Sequence, residues 1–353
     1  MILICTLTIT SCNSKKNNSE KTIPEPKRVL DSILIVAKNN SLYKENVDWD
    51  VLEKEVYTRF IDSDTITSII KPVQHLLNQL GDFHGSLFLN GQHYRGNVKV
   101  TRDVSYDYQS KDYISKMSSI FQKTLNQDTI KGFITTEKIA YLEIPMMMPY
   151  GGDGNDVIAN TLKIRNKICE LKSKNPIGWI LDLRGNLGGN MYPMLMGLAE
   201  ILPLKINMGG DSKDGKSINQ KWKMENGIFY YGENSYPNIP KLNCQFLEQK
   251  NKIAVLIGRY TASSGEVVAC ALKTQEKIQL FGEQTSGATT ANQWTPIGKE
   301  VVFNPAISYY VSKNKMIHKD GVIPDIEISE DFSFDNPISG KVFKKAVQWL
   351  TKK

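Results

Sequence analysis

The sequence has little of what a metal or redox centre would need. Its 353 residues include only four histidines and five cysteines. The histidines form no HxxxH or HExxH pattern, and the cysteines form no CxxC pair. We therefore expect neither a metal ion nor a cofactor.

Cysteine pairing is also not evident from the sequence. Cys5 and Cys12 belong to the N-terminal segment, which leaves Cys169, Cys244 and Cys270, an odd number, in the body of the chain. Cys169 and Cys270 lie in apolar, helix-like surroundings, so we expect both to be small buried thiols.

Long apolar runs and blocks of one charge are missing from the body of the chain. Hydrophobic residues make up 41% and charged residues 23%, as in an ordinary globular protein. The net charge of +7 is scattered, without the basic stripe and interleaved aromatic residues that nucleic-acid binding needs. The composition therefore favours a globular protein that does not bind nucleic acid.

The first residues differ from the rest. MILICTLTITSC is an apolar run, and the polar, proline-containing segment NSKKNNSEKTIPEPK follows it. This pattern is typical of a targeting segment and a linker. Ile9-Thr10-Ser11-Cys12 resembles the bacterial lipoprotein box, in which the cysteine carries a lipid. We predict a lipoprotein signal and linker in residues 1–26, with membrane anchoring at Cys12 in the bacterial cell envelope; a plain secretory signal is the alternative.

The remaining chain divides into three parts by its hydrophobic pattern. Residues 27–87 have apolar side chains at helical spacing and predict a small domain of three helices. The polar breaks Asn39–Ser41 and Asp62–Asp64 separate the helices and can cap them. Residues 88–137 have no clear period, and we expect an irregular connection there.

Residues 138–353 predict an α/β core. The runs KIAYLEIP, GWILDLRG, KIAVLIG and KIQLFGE read as strands, and helix-like stretches separate them. Such an alternation indicates mostly parallel strands that are buried on both faces. Ligands of such cores bind at the carboxyl ends of the strands. LDLRGNLGGN and YTASSGEV both follow a strand and therefore occupy that position.

The glycines of LDLRGNLGGN leave backbone N–H groups uncovered close to a helix start. Such a turn can donate hydrogen bonds to an oxyanion. A tight turn without a ligand is the alternative, whereas a phosphate loop would need a GKS or GKT ending that is missing here. If YTASSGEV is considered without the other motifs, its two adjacent serines are best interpreted as helix-capping residues.

Five motifs together resemble one family. LGDFH at 80–84, DLRGNLGGN, TASSGEVVA, FGEQTSGATT and DGVIPDIEI occur in the same order as in the serine peptidases that include the C-terminal processing proteases and the core of tricorn protease. The resemblance extends from about Pro26 to the C-terminus. It implies an α/β, crotonase-like (ClpP/crotonase) spiral core preceded by a small helical domain.

The resemblance also implies the roles of particular residues. Ser263 would be the nucleophile, and the N–H groups of Ser264 and of Gly188 or Gly189 would form the oxyanion hole. Processing proteases of the family use a lysine as base, but Ala288 stands at the matching place.

The tricorn-like branch uses a histidine instead. Asp82-Phe83-His84 matches its Asp-x-His motif, so we expect His84 to be the general base. A loop histidine beside a buried Asp82 is the alternative.

The third catalytic role is less clear from the motifs. The tricorn-like glutamate that orients the histidine has no counterpart here, and His318 or Asp320 fills its place. Asp320 could accept the second N–H of His84, or His318 could itself be the base. Glu283 is a further candidate, for which a structural ion pair is an equally good explanation.

The resemblance therefore implies a serine-type endopeptidase or C-terminal processing-type peptidase that forms an acyl-enzyme with a peptide or protein substrate, and it allows a homo-oligomer. Too few residues separate His84 from Lys138 for the PDZ domain that the family often carries. Tyr150–Gly154 could be a flexible loop near the site. A catalytically inactive peptide- or ligand-binding lipoprotein on the same fold is the alternative, and a hydrogen bond between Ser263 and His84 would favour the enzyme.

Overall fold

The computed structural model describes ten stretches of the chain: residues 26–61, 65–98, 110–125, 129–148, 155–236, 239–240, 244, 251–298, 300–329 and 336–352. The segment predicted to be a lipoprotein box with Cys12, the predicted break Asp62–Asp64 and the predicted loop Tyr150–Gly154 lie outside these ranges.

Three helices open the described chain, as the apolar spacing predicts: α1 (Pro26–Asn40), α2 (Trp49–Arg59) and α3 (Ile70–Leu80). The N-terminus of α2 is capped by Asp48, whose carboxylate accepts from the N–H groups of Asp50 and Val51. Gly81 ends α3 with a φ of 74°, a conformation that glycine adopts without strain. The chain therefore turns sharply at this point, just before Asp82 and His84.

The helices share their core with a four-stranded antiparallel sheet. Its strands, in spatial order, are β13 (Thr295–Gly298), β14 (Val301–Asn304), β1 (Ser86–Leu89) and β2 (Gln92–Arg95). Leu87, Leu89, Val301 and Phe303 are buried against the helices. The segment 88–137, which we expected to be irregular, contains β2 and helix α4 (Lys111–Leu125).

A second sheet carries the predicted strands. Its order is β16 (Ile326–Glu327), β11 (Ile278–Gly282), β10 (Lys252–Ile257), β5 (Gly178–Asp182), β4 (Ile139–Glu143) and β3 (Gly132–Ile134). All neighbours are parallel except β3 and β4. Helices α5 (Asn155–Lys172), α6 (Met191–Gly197), α7 (Ser264–Lys273) and α8 (Lys341–Thr351) accompany this sheet. The sequence-based expectation of a mixed α/β core with buried parallel strands is confirmed.

A third sheet was not predicted. It is antiparallel, with the order β12 (Thr290–Asn292), β15 (Ala306–Val311), β6 (Lys205–Ser212), β7 (Gln220–Glu225), β8 (Ile228–Tyr231) and β9 (Asn234–Ser235). Its strands are partly exposed, so they lack the continuous apolar runs that identified the second sheet. Strand β12 lies at the edge of this sheet.

Cys169 forms a disulfide with Cys244, which corrects the expectation that Cys169 is a free thiol. Their Cα atoms are 5.6 Å apart, a normal separation for a disulfide, although 75 residues separate them in the sequence. Only the tertiary fold brings them together, so the spacing of cysteines gave no indication of the bond. Cys270 is free and buried, as expected.

The helices of the described ranges offer no candidate for a membrane span, since none is both long and apolar enough.

Candidate active site

Two loops meet at the carboxyl ends of neighbouring parallel strands. Leu256 in β10 lies beside Asp182 in β5, and the chain leaves both strands towards the same edge of the sheet. The Thr261 hydroxyl donates to the carbonyl of Leu183 at 2.8 Å, and the Ala262 N–H donates to the carbonyl of Asn186 at 2.9 Å. These bonds hold residues 258–262, which we call the serine loop, against residues 183–190, which we call the glycine loop.

Ser263 is the turn residue between the serine loop and helix α7. Its φ of 52° and ψ of −122° are unusual for a residue with a side chain and need support from the surroundings. The support comes from Glu266, which is fully buried and accepts the Ser263 N–H at 3.0 Å. Glu266 also accepts from the Thr285 hydroxyl and from the Gly287 N–H. One buried carboxylate thus connects the Ser263 turn to the segment after β11.

The structure brings His84 and Ser263 together from opposite parts of the chain. His84 Nε2 lies 3.1 Å from Ser263 Oγ, and the histidine is 8% exposed. The buried carboxylate of Asp82 holds the backbone of this loop, because it accepts the N–H groups of His84, Gly85 and Ala306. Asp82 therefore positions the main chain around the histidine.

The environment of His84 keeps its imidazole neutral. Burial lowers the pKa of His84 to about 3, and the positive charge of Arg95 acts in the same direction. A neutral imidazole at neutral pH has one nitrogen free to accept the Ser263 proton. The arrangement can therefore work as a nucleophile and base pair.

The second nitrogen of His84 contacts Thr290, at the place where the sequence led us to expect Asp320 as the acceptor. Nδ1 lies 2.8 Å from the Thr290 hydroxyl. The turn that follows β15 presents backbone carbonyls towards this region: the carbonyl of His318 accepts from the Thr289 hydroxyl, and that of Asp320 accepts from the Gln284 amide.

Two other positions that the motifs singled out have structural surroundings of their own. Glu283 forms an ion pair with Arg259 at 2.8 Å, the structural explanation that the sequence left open. Ala288, at the place of the family lysine, is a buried apolar residue. No carboxylate is recorded as a hydrogen-bond partner of the His84 ring among the residues described.

The glycine loop offers one N–H group to the site. The Gly188 N–H donates to the Asn186 side chain at 2.9 Å and is therefore occupied. Within the described ranges, the N–H groups of Gly189 and Ser264 have no acceptor. The Ser264 hydroxyl donates to the Gly189 carbonyl at 2.6 Å, which holds the two residues together. Gly189 and Ser264 are thus the two donors available to an oxyanion.

Glycine is required at both positions of the pair Gly188-Gly189. Their φ angles are 107° and 96°. A Cβ at Gly188 would lie 2.6 Å from the Cβ of Ser263, and one at Gly189 would lie 1.9 Å from the carbonyl oxygen of Met147. Residues with side chains would therefore displace either Ser263 or the chain at Met147.

Sequence reasoning missed four residues that support the site: Glu266, Asn186, Thr290 and Asn292. Glu266 and Thr290 lie inside motifs that carried the family resemblance, and Asn292 follows two residues later. The available signal was the run TSGATTAN, whose small polar side chains are unusual directly after a buried strand. His84, which Thr290 and Asn292 contact, lies 206 and 208 residues away from them in the sequence, so these two contacts could not be assigned from it.

Two curated relatives match about half of the chain. The nisin-resistance protein of Lactococcus lactis subsp. lactis is 28% identical over 180 residues, which cover 51% of this chain and 52% of that protein. The carboxy-terminal processing protease CtpA of Bacillus subtilis is 28% identical over 170 residues, which cover 47% of this chain and 31% of CtpA. The chain therefore matches only part of the length of either relative.

Solved structures show the same fold over almost the whole chain. A lipoprotein from Streptococcus agalactiae has a TM-score of 0.63 at 21% identity, covering 93% of this chain and 96% of that one. A photosystem II D1 C-terminal processing protease has a TM-score of 0.54 at 12% identity, covering 94% of this chain and 98% of that one. The model of peptidase family S41 matches residues 138–328, more than half of the sequence. The chain therefore belongs to peptidase family S41.

Proposed function

We propose that this protein is a serine-type peptidase of the bacterial cell envelope, with Ser263 as nucleophile and His84 as general base. The observation that carries the proposal is the 3.1 Å approach of His84 Nε2 to Ser263 Oγ, between residues 179 positions apart in the sequence. Packing alone does not explain why a neutral imidazole contacts the hydroxyl of a serine in a strained turn, whereas activation of that serine as a nucleophile does.

The chemistry follows from this geometry. His84 takes the Ser263 proton while Oγ attacks the carbonyl carbon of the scissile peptide bond. The negative charge on the tetrahedral oxygen is stabilised by the N–H groups of Gly189 and Ser264. His84 then gives its proton to the leaving amine, and an acyl-enzyme on Ser263 remains. Water activated by the same histidine hydrolyses this ester and restores the serine.

The cell-envelope location has support from two directions. Disulfides such as Cys169–Cys244 persist in oxidising compartments outside the cytoplasm. The lipoprotein from Streptococcus agalactiae shares the fold, and a nisin-resistance protein is a sequence relative. We propose anchoring through a lipid on Cys12, and peptides or proteins met at the cell surface or in the envelope as substrates.

The finer class of the peptidase is also a proposal. We propose that the core is of the crotonase-like type, in keeping with its structural similarity to the photosystem II D1 C-terminal processing protease. Between β1 and β3 the described residues form β2 and α4, and we propose that the PDZ domain of the larger family members is missing. Without such a domain, endopeptidase cleavage is favoured over selection of a C-terminal tail.

A catalytically inactive binding protein on the same fold is the second candidate. The observation that favours it is the neutral hydroxyl at His84 Nδ1, where a catalytic triad has a carboxylate. Such a protein would capture peptides without cleaving them.

Incubation with a mixture of peptides separates the two functions. The purified full-length chain is mixed with peptides of defined sequence, and the products are identified by mass spectrometry. The proposal predicts cleavage that is lost in Ser263→Ala. Ser32→Ala, a change of a partly exposed residue on helix α1, is the matched control. Peptides that are retained by the protein but stay intact would favour the binding function and overturn the peptidase.

A further inference from the structure

The orientation of the Asn292 side chain is determined by two backbone carbonyls. Its Nδ2 lies 3.1 Å from the carbonyl oxygen of His84 and 3.1 Å from that of Asn304. Carbonyl oxygens only accept, so the amide must direct its NH₂ group towards them. The other end of the amide, Oδ1, is therefore an acceptor with a fixed position.

The Thr290 hydroxyl lies between this acceptor and the histidine ring. Its Oγ1 is 3.0 Å from Asn292 Oδ1 and 2.8 Å from His84 Nδ1. A hydroxyl has one proton, and Oδ1 has none to offer, so Thr290 donates to Asn292. The hydroxyl oxygen then accepts from Nδ1, which must carry a proton.

We propose that Thr290 and Asn292 form a hydroxyl–amide relay that holds the neutral His84 ring with its proton on Nδ1 and its lone pair on Nε2 facing Ser263. This inference rests on the proposed function of Ser263 and His84. Thr290 and Asn292 are positioning residues in it, because they act through the histidine.

The relay forms a closed ring of contacts. It runs from the His84 ring to Thr290, on to Asn292, and back to the carbonyl of His84 itself. Thr290 and Asn292 are two apart on strand β12, whose pairing is irregular between Ala291 and Asn292, and their side chains contact each other. The relay therefore fixes the ring of His84 relative to its own backbone as well as its tautomer.

A neutral relay differs from an acidic triad member in what it can do. An aspartate both selects the tautomer and stabilises the imidazolium that forms during catalysis. The Thr290 hydroxyl selects the tautomer but adds no negative charge. The structure thus assigns the tautomer role to a side chain that sequence reasoning about acidic residues could not find.

Nitrogen NMR of the histidines tests the relay in the parent protein. The four histidines of the full-length chain are labelled with ¹⁵N, and the His84 signals are identified by their loss in His84→Ala. We expect a protonated Nδ1 and an unprotonated Nε2 at neutral pH. A His84 ring with its proton mainly on Nε2 would overturn the relay. Apart from the parent, this measurement requires only His84→Ala to fold.

Variants of Thr290 test the same claim through the reaction. Thr290→Val removes the hydroxyl at nearly constant shape, Thr290→Ser keeps it, and Thr289→Val is the matched control because that hydroxyl contacts the His318 carbonyl. In Thr290→Val we expect a mixed tautomer and a fluorophosphonate labelling rate lower by about 10- to 100-fold. Thr290→Ser should stay within about threefold of the parent.

The two readouts separate the relay from the function on which it rests. A parent with a protonated Nδ1 that does not react with the probe would support the relay and contradict the peptidase. A reactive parent whose tautomer and labelling rate are both unchanged in Thr290→Val would support the peptidase and overturn the relay.

Discussion

Ser263 and His84 lie 3.1 Å apart, yet the molecule holds them by different means. The main support of Ser263 is Glu266, a buried carboxylate only three residues further along the chain. The ring of His84 is held by the uncharged Thr290, which is 206 residues away in the sequence.

Ser263 and His84 need different kinds of support. Ser263 sits in a strained turn, and the charge of Glu266 strengthens the hydrogen bonds that hold this turn in place. His84 must stay neutral to accept a proton. Burial and the positive charge of Arg95 lower its pKa, and they outweigh the hydrogen bond to Thr290, which acts in the opposite direction. One side of the site therefore has a charged anchor, and the other has an uncharged anchor beside a ring that burial keeps neutral.

The largest effect is expected from Gly188→Ala, which disturbs the surroundings of Ser263 and leaves the contacts of His84 with Thr290 unchanged. The new methyl group would lie 2.6 Å from the Ser263 Cβ, in a backbone conformation with φ of 107°. We expect fluorophosphonate labelling to slow by about 1000-fold or more, because small displacements of a nucleophile cost large factors in rate.

Gly91→Ala is the control for that change. Gly91 also has a positive φ, but its Cβ would meet nothing within 4 Å, so the variant tests strain without a clash near the site. Labelling of Gly188→Ala at the rate of Gly91→Ala would show that the glycine loop does not constrain Ser263.

Glu266→Gln tests the charged anchor. The amide would place an NH₂ group opposite backbone or hydroxyl donors that now face carboxylate oxygens, as in the contacts from Ser263 and Gly287. We expect the free energy of unfolding to fall by about 3–5 kcal/mol, as for other broken buried charge networks. Urea denaturation measures this loss.

A surface carboxylate provides the matched comparison. Glu225→Gln changes a partly exposed residue that pairs with Lys205 and Lys223, and it should leave the urea midpoint almost unchanged. Equal midpoints for Glu266→Gln and Glu225→Gln would mean that the buried carboxylate does not hold the turn.

The disulfide should matter for stability and not for the site. Cys169 and Cys244 lie outside both sets of contacts around Ser263 and His84, and their bond closes a loop with a sequence separation of 75. Cys169→Ser with Cys244→Ser should lower the free energy of unfolding by about 2–4 kcal/mol. The labelling rate of the folded variant should stay within about twofold of the parent; a large loss of rate in a folded variant would connect the disulfide to the site.

The smallest effect is expected from moderate acid. His84 is a base only while it is neutral, so the reaction is lost as the pH falls through the pKa of the folded protein. Burial lowers that pKa to about 3, so the acid limb lies far below the usual value for histidine. Labelling rates at pH 7.5 and pH 5.5 should agree within about twofold. A tenfold loss at pH 5.5 would show a histidine that titrates normally.

The sequence was sufficient where structure depends on neighbours along the chain. Strands β4, β5, β10 and β11 are continuous apolar runs, which only a strand buried on both faces requires. Helix α3 and its Gly81 terminator are equally local. The proximity of Ser263 and His84 could be predicted because each lies in a motif whose order along the chain is informative.

The sequence was insufficient where distant segments meet. Thr290 reaches His84 because strand β12 pairs at the edge of the third sheet, and nothing in the spacing of acidic residues indicates this. Asp320 was expected there because it is acidic and close to a family motif, but its turn presents carbonyl groups. The Cys169–Cys244 bond was missed for the same reason, since only the fold brings the two cysteines together.

The most direct test of the pairing between Ser263 and His84 is fluorophosphonate labelling followed by mapping of the modified residue. The full-length parent is compared with Ser263→Ala, His84→Ala and Ser264→Ala, each checked for folding by circular dichroism. We predict an adduct on Ser263 in the parent, no adduct in Ser263→Ala or His84→Ala, and a retained adduct in Ser264→Ala. A folded parent that gives no adduct, or one modified on a residue other than Ser263, would contradict the account.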